Sequence, residues 1–186
     1  MTKRLLILGA GGHGRVCAEI AEQLGQWQAI AFLDDANAPD TLGYPRLGRL
    51  DDVFRLLADS QVVVAIGHNP TRMTWLERLT SAGADLPTLI HPRAWVSRHA
   101  KLGAGTVVLA GAIINTGAEV GRGCLINLNV CIDHDSRIGD GAHLAAGVII
   151  RSAATVGSGA MLAAGVIVRP AKTVLDNEII AEGNVV

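Results

Sequence analysis

Aromatic side chains are scarce in this chain: 2 Phe, 3 Trp and 1 Tyr among 186 residues. Yet 49 % of the residues are hydrophobic, so the apolar content consists of small and branched side chains, which is unusual for an ordinary core. The three cysteines, Cys17, Cys124 and Cys131, are odd in number and lack CxxC spacing. They fit a reducing, cytoplasmic setting better than a disulfide framework or a zinc site, and no metal is expected. Charge is balanced, 16 Lys and Arg against 17 Asp and Glu, with no basic stripe to suit nucleic acid. No stretch approaches the roughly 18–20 apolar residues of a membrane helix, so no membrane insertion is expected. The N-terminal run LLILGA is too short for a signal segment and reads as a first strand.

What is present falls into two halves. The first alternates strand and helix. RLLIL (4–8), QAIAFLDD (28–35) and QVVVAIG (61–67) read as strands, and LPTLI (86–90) can add a last one. GRVCAEIAEQLG (14–25) carries a helical apolar stripe, and LDDVFRLLAD (50–59) reads as a short helix. NPTRMTWLERLTSAG (69–83) reads as a helix with Asn69 as N-cap, Pro70 at its first position and Gly83 as its stop. This alternation predicts a small Rossmann-like α/β domain with a parallel sheet over residues 1–91.

The second half changes period. From Ala94 to Gly183 it divides into 15 hexads without a gap, and the third residue is Val, Leu or Ile in all 15. Those types make up 53 of 186 residues, so chance does not explain the run. A helix repeats every 3.6 residues and a strand every 2. A period of six is the signature of a parallel β-helix. Three hexads make one triangular coil, so residues 92–186 are expected to form an all-β domain of five coils. The residue before each inward one points outward, in three columns. Trp95, Ile113, Cys131, Ile149 and Ile167 form the first, and Lys101, Glu119, Arg137, Thr155 and Thr173 the second. Val107, Leu125, His143, Met161 and Ile179 form the third. The second column is polar, while the first and third are apolar except at His143. Two apolar faces fit a three-fold ring in which the first packs on the third of the next chain, so a homotrimer is expected.

Within this apolar lattice VCIDHD places His134 between Asp133 and Asp135 at a corner. An imidazole titrates near pH 6.5 and can act as general base, with either acid orienting it and Asp135 preferred. In a trimer His134 would line a groove with His143 of a neighbouring chain. Cys131 lies three residues from His134, but its apolar column marks it as packing.

The hexads, the Asp-His-Asp corner and the N-terminal GAGGHG together resemble the left-handed β-helix acyltransferases of bacterial glycan synthesis. The similarity is to the nucleotide-amino-sugar N-acetyltransferases, grouped with sialic acid O-acetyltransferases. LGAGGHGRV, AFLDD, VAIGHN, LIHP and INLNVCIDHDSRIGDGAHLAAG carry it. The resemblance implies a left-handed coil, acetyl-CoA as donor, a nucleotide-linked amino sugar as acceptor, and trimer-interface active sites. It implies that His134 deprotonates the amine, that Asn127 is an active-site asparagine, and that His143 lies near the acetyl end of CoA. It also implies that the backbone N–H at Ser152, 18 residues beyond His134, meets the acetyl carbonyl. Arg151-Ser152 departs from the family's glycine there. The chain stops at AEGNVV where the family usually continues into a Gly-Val-Pro-Ala run, a departure that leaves two readings open: missing contacts to the far end of CoA, or a shortened chain.

Gly9, Gly11 and Gly14 form GxGxxG between a strand and a helix, an anion cradle that NAD-binding folds share. Only half a dinucleotide fold surrounds it, which argues against redox use. The resemblance instead implies that Gly11, Gly12, His13 and Gly14 lie near the pyrophosphate or sugar. Asp34 and Asp35 would lie near the base, and Gly67 and Asn69 on the next loop. A hydroxyl acceptor and a non-catalytic trimeric scaffold are the alternatives.

Overall fold

The structure is a computed structural model that describes residues 4–36 and 41–186. It divides into two compact units, residues 1–89 and 90–186, a boundary two residues before the expected one.

In the first unit, β1 (Arg4–Leu8), β2 (Ile30–Leu33), β3 (Arg46–Gly48) and β4 (Ser60–Val64) form a parallel sheet in the order β3-β2-β1-β4. Near-continuous burial of RLLIL and SQVVV explains why these strands lack alternation. Helix α1 (Gly12–Leu24) packs its Cys17, Ile20 and Ala21 side inward and stops at Gly25, φ +60°. Helix α2 (Asn69–Ser81) buries Trp75, Leu76 and Leu79 in the core with Leu6, Leu8, Leu33 and Val62. Four sequence expectations need correction. Residues 50–59 form two 3₁₀ segments, Leu50–Arg55 and Leu57–Asp59, instead of one α-helix. The strand β3 was not foreseen, because its RLG lacks an apolar run. The N-cap of α2 is His68, with Asn69 as the first helical residue, and the Asn69 side chain accepts a bond from Arg72 Nη2 at 2.8 Å. The strand in LPTLI shrinks to β5 (Leu89–Ile90), which joins a ladder of the coil, not the first sheet.

The second unit is a parallel β-helix. Two-residue strands stack in three ladders, and the registers reproduce the three outward columns. Trp95 pairs with Ile113, Ile113 with Cys131, and Cys131 with Ile149. Leu125 pairs with Val107 and with His143. The inward Val, Leu and Ile fill a continuous core from Val108 to Ile180. Each such side chain contributes about 1.5–3 kcal/mol on burial, which is how two-residue strands cohere. The apolar faces are less even than expected. Trp95 and Ile113 on the first are 54 % and 44 % exposed, while on the third Val107 and Leu125 are each 3 % exposed and Ile179 is 77 % exposed.

Candidate active site

His134 stands at the corner between the first and second faces, after the strand Cys131–Ile132 and before Arg137–Ile138. Its Nδ1 lies 2.9 Å from Asp135 Oδ2. An ionised carboxylate only accepts, so the Nδ1 hydrogen points at Asp135 and Nε2 keeps a lone pair for an incoming proton. Asp133 has a different task. Its Oδ1 accepts the His134 backbone N–H at 2.8 Å and Asn115 Nδ2 at 3.2 Å, which fixes the corner backbone. The His134 side chain is half exposed, so a substrate can reach it. The hydrogen bond to Asp135 raises the imidazole above the ordinary histidine value. The negative charges of Asp133 and Asp135 add to the rise, and partial desolvation opposes it. Asp133 is lowered, chiefly by the His134 N–H and also by Asn115 Nδ2.

Asp135 takes φ +59°, which an aspartate tolerates better than a branched residue does. Its carboxylate folds over Gly117, one coil earlier, where an added Cβ would lie 2.4 Å from Oδ1. Asn129 over Gly111 and Asn177 over Gly159 repeat this arrangement, so it belongs to the coil in general. At Asp135 the same corner device carries a charge beside an imidazole. Gly117 was not singled out in the sequence; the 18-residue offset from Asp135 was the signal that could have found it.

Ser152 lies one coil above His134, and the Ala153 N–H bonds the His134 carbonyl at 3.0 Å. Where Asn115, Asn127 or Asp133 precedes a corner amide, its side chain caps that N–H, at 2.8, 2.7 and 2.8 Å. Arg151 offers no acceptor, and among the described residues none caps the Ser152 N–H. Asn127 and His143 lie elsewhere. Asn127 is at the corner joining the third face to the first, its N–H bonded to the Leu144 carbonyl at 3.0 Å, and His143 points outward from the third face beside Leu125 and Met161. A single chain therefore gathers His134, Asp135 and Ser152 on one edge and holds Asn127 and His143 apart from them.

In the first unit the glycines divide by purpose. A Cβ at Gly14 would lie 2.0 Å from the Gly9 carbonyl oxygen, and one at Gly9, φ +102°, would lie 2.8 Å from that of Ala65. Those two are demanded by packing. Cβ atoms at Gly11, Gly12 and Gly67 would meet nothing within 4 Å, and none of the three has a left-handed φ. The fold itself does not need glycine there. Asp34 closes the loop from beneath, accepting the Ala10 N–H at 2.6 Å and the Ala36 N–H at 2.7 Å. Asp35 pairs with Arg49 Nε at 3.1 Å, which holds its carboxyl below the usual range. His13 Nε2 lies 3.8 Å from Cys17 Sγ, and burial pushes the Cys17 thiol up to about 12, so it stays protonated. Arg72, buried, was missed in the sequence: it donates to the carbonyls of Ile66 and Gly67 at 3.0 and 3.1 Å and so shapes the loop before Asn69. Among the described residues no cluster of His, Cys, Asp or Glu is arranged to hold a metal ion.

Residues 4–79 match the family model of the PglD N-terminal domain. Over its whole length the chain superposes on the acetyltransferase domain of PglB from Neisseria gonorrhoeae FA1090, with 32 % identity, TM-score 0.96, and coverage of 99 % of this chain and 91 % of that one. The chain belongs to this family of left-handed β-helix acetyltransferases. Another family structure is a histidine mutant of perosamine N-acetyltransferase from Caulobacter crescentus, in complex with CoA and GDP-perosamine. It is 31 % identical with TM-score 0.93, covering 100 % of this chain and 89 % of that one. A curated family member, UDP-N-acetylbacillosamine N-acetyltransferase of Bacillus subtilis (strain 168), is 35 % identical over 114 residues, 58 % of this chain and 52 % of the relative. The match thus spans about half of that relative's length. Among the described residues no helix is long and apolar enough to cross a membrane.

Proposed function

We propose that this acetyltransferase moves the acetyl group of acetyl-CoA onto the amine of a nucleotide-linked amino sugar, with His134 as general base. The observation that carries the reading is the half-exposed His134, its Nδ1 turned to Asp135 at 2.9 Å and its Nε2 left to act. The amine nitrogen attacks the thioester carbonyl carbon as Nε2 takes its proton. The oxyanion of the tetrahedral intermediate is met by the Ser152 N–H. The C–S bond then breaks, and the CoA thiolate regains a proton from the imidazolium. Asn127 serves as an active-site asparagine and His143 lies near the acetyl end of CoA, contributed at a seam between copies of a homotrimer. The exposed Trp95 and Ile113 support such a seam, because an apolar first face is stabilised by another copy covering it. The open backbone at Gly11, Gly12 and Gly67, with His13, Gly14 and Asn69, suits the pyrophosphate and sugar of the acceptor. Asp34 and Asp35 act beside it by holding the loop and the neighbouring Arg49 in place. The relatives crystallised or named with acetyl-CoA, CoA, GDP-perosamine and UDP-N-acetylbacillosamine support both substrate classes.

The test is release of free CoA from acetyl-CoA with GDP-perosamine, with UDP-N-acetylbacillosamine and with hydroxyl-only nucleotide sugars. Turnover is expected with an amine, falling about 10²–10⁴-fold in His134→Ala. Wild-type turnover in that variant overturns the base assignment, and turnover restricted to hydroxyl acceptors moves the enzyme to O-acetylation. Absence of both turnover and calorimetric CoA binding leaves a scaffold.

A further inference from the structure

Ser136 is fully buried, and its Oγ donates to the Arg151 carbonyl at 3.0 Å. The coil does not require a hydroxyl at this place. Ala118 and Ala154, one coil before and one after in the same column, are equally buried. A buried hydroxyl persists only with a partner, and here the partner is the peptide that carries the Ser152 N–H. That carbonyl already closes the corner turn by accepting the Ala154 N–H at 3.2 Å, and Ser136 adds a second, inward bond. A trans peptide is planar, with its C=O and N–H pointing opposite ways. Holding the Arg151 oxygen toward the core therefore aims the Ser152 N–H out of it.

The same side-chain bond recurs elsewhere in the coil, where it adds to an outward direction that corner amides also take without it, as the Ser158 N–H does toward Asp176 Oδ1 at 2.7 Å behind Ala142. Thr106 Oγ1 donates to the Gly121 carbonyl at 2.7 Å across the same 15-residue offset. The next amide, Arg122 N–H, points outward and binds a carboxylate oxygen, Asp140 Oδ1, at 2.8 Å. Cys124 Sγ makes the corresponding bond to the Gly139 carbonyl at 3.1 Å. Above His134 the pinned carbonyl recurs with no resident carboxylate before the amide. We infer that Ser136 is a positioning residue that preorganises the Ser152 N–H to receive the oxygen of the acetyl carbonyl as it becomes an oxyanion. The inference rests on the reading that this amide meets the acetyl group.

Two variants separate the inference from that reading. Proline is already accommodated at this corner, since Pro170 occupies the equivalent place one coil beyond Ser152. Ser152→Pro thus deletes the N–H in a setting the fold tolerates, as Ala118 and Ala154 show for Ser136→Ala. The readouts are the carbonyl stretch of isotope-labelled acetyl-CoA bound to the protein, and kcat and KM with the amine acceptor that wild type uses. Ser152→Pro is expected to abolish the red shift of the stretch and lower kcat about 10²-fold. Ser136→Ala is expected to weaken the shift and lower kcat about ten-fold with both KM values unchanged, and Ser136→Thr to restore both. If Ser152→Pro keeps the wild-type shift and kcat, the reading falls and the inference with it. If Ser152→Pro loses them while Ser136→Ala keeps them, the inference alone falls. Equal losses in Ser136→Ala and Ser136→Thr assign the effect to packing and overturn it.

Discussion

Three neighbouring residues divide the labour at the corner of His134. Asp133 holds the backbone, through the His134 N–H at 2.8 Å, and Asp135 holds the ring at 2.9 Å. The sequence offered two equivalent acids, and only the left-handed φ of +59° at Asp135 decides between them, because it folds that carboxylate back beside the imidazole. The raised imidazole has a kinetic consequence with a definite sign. Only the neutral ring accepts a proton, so kcat should fall as pH drops through a value above the usual histidine 6.5. Asp135→Asn removes the charge and weakens the chief cause of the rise. The acid limb of the kcat profile should move to lower pH, with maximal kcat about ten-fold lower. A limb that stays in place would show that Asp135 does not set the basicity of His134.

At the scale of elements, the strand–loop–helix from β1 to α1 shows which glycines serve the fold and which leave room for a ligand. GxGxxG made all of them look alike in sequence. The difference depends on how closely the start of α1 approaches the Gly9 carbonyl and how closely the Ala65 carbonyl, just after β4, passes Gly9. Gly14→Ala forces a Cβ to within 2.0 Å of backbone, so the helix must shift and thermal unfolding should show a loss of about 1–3 kcal/mol. Gly11→Ala meets nothing within 4 Å and should unfold within about 0.5 kcal/mol of wild type. Its KM for the nucleotide sugar should nonetheless rise about ten-fold, with the KM for acetyl-CoA unchanged. An unaltered nucleotide-sugar KM in Gly11→Ala would remove the phosphate cradle from the site. The 3₁₀ segments at 50–59 were read as one helix because their apolar spacing suits both. The bond from the Leu50 N–H to Asp35, which helps draw the chain into a tighter turn beside the local Arg49–Asp52 cap, joins residues 15 apart, too far for local spacing to show.

At the scale of the molecule, the apolar first face is the feature a single chain leaves unfinished. Trp95 and Ile113 are exposed in register on one ladder, while the third face is covered at Val107 and Leu125 and open at Ile179. Which positions along a face are covered is invisible to the column argument, which counts only side-chain direction. Ile113→Glu should place a charge in the seam of the proposed homotrimer. Sedimentation at micromolar concentration should then show monomers where wild type shows trimers, with thermal unfolding of the coil itself changed little because the inward column is untouched. A wild-type monomer would separate His134 from His143 and require a site within one chain, and a trimeric Ile113→Glu would place the seam away from Ile113.

The amino-acid sequence by itself determined the coil. An inward Val, Leu or Ile in every one of 15 hexads leaves no other period that buries them all, and the family likeness of its corners follows from that lattice. Tertiary structure decided the contacts that cross coils and loops: Asp135 over Gly117, Ser136 on the Arg151 carbonyl, and Asp34 beneath Ala10. These pairs lie 15 to 24 residues apart. Their meeting depends on the pitch of the coil and the direction of each side chain, which no local pattern of apolar residues encodes.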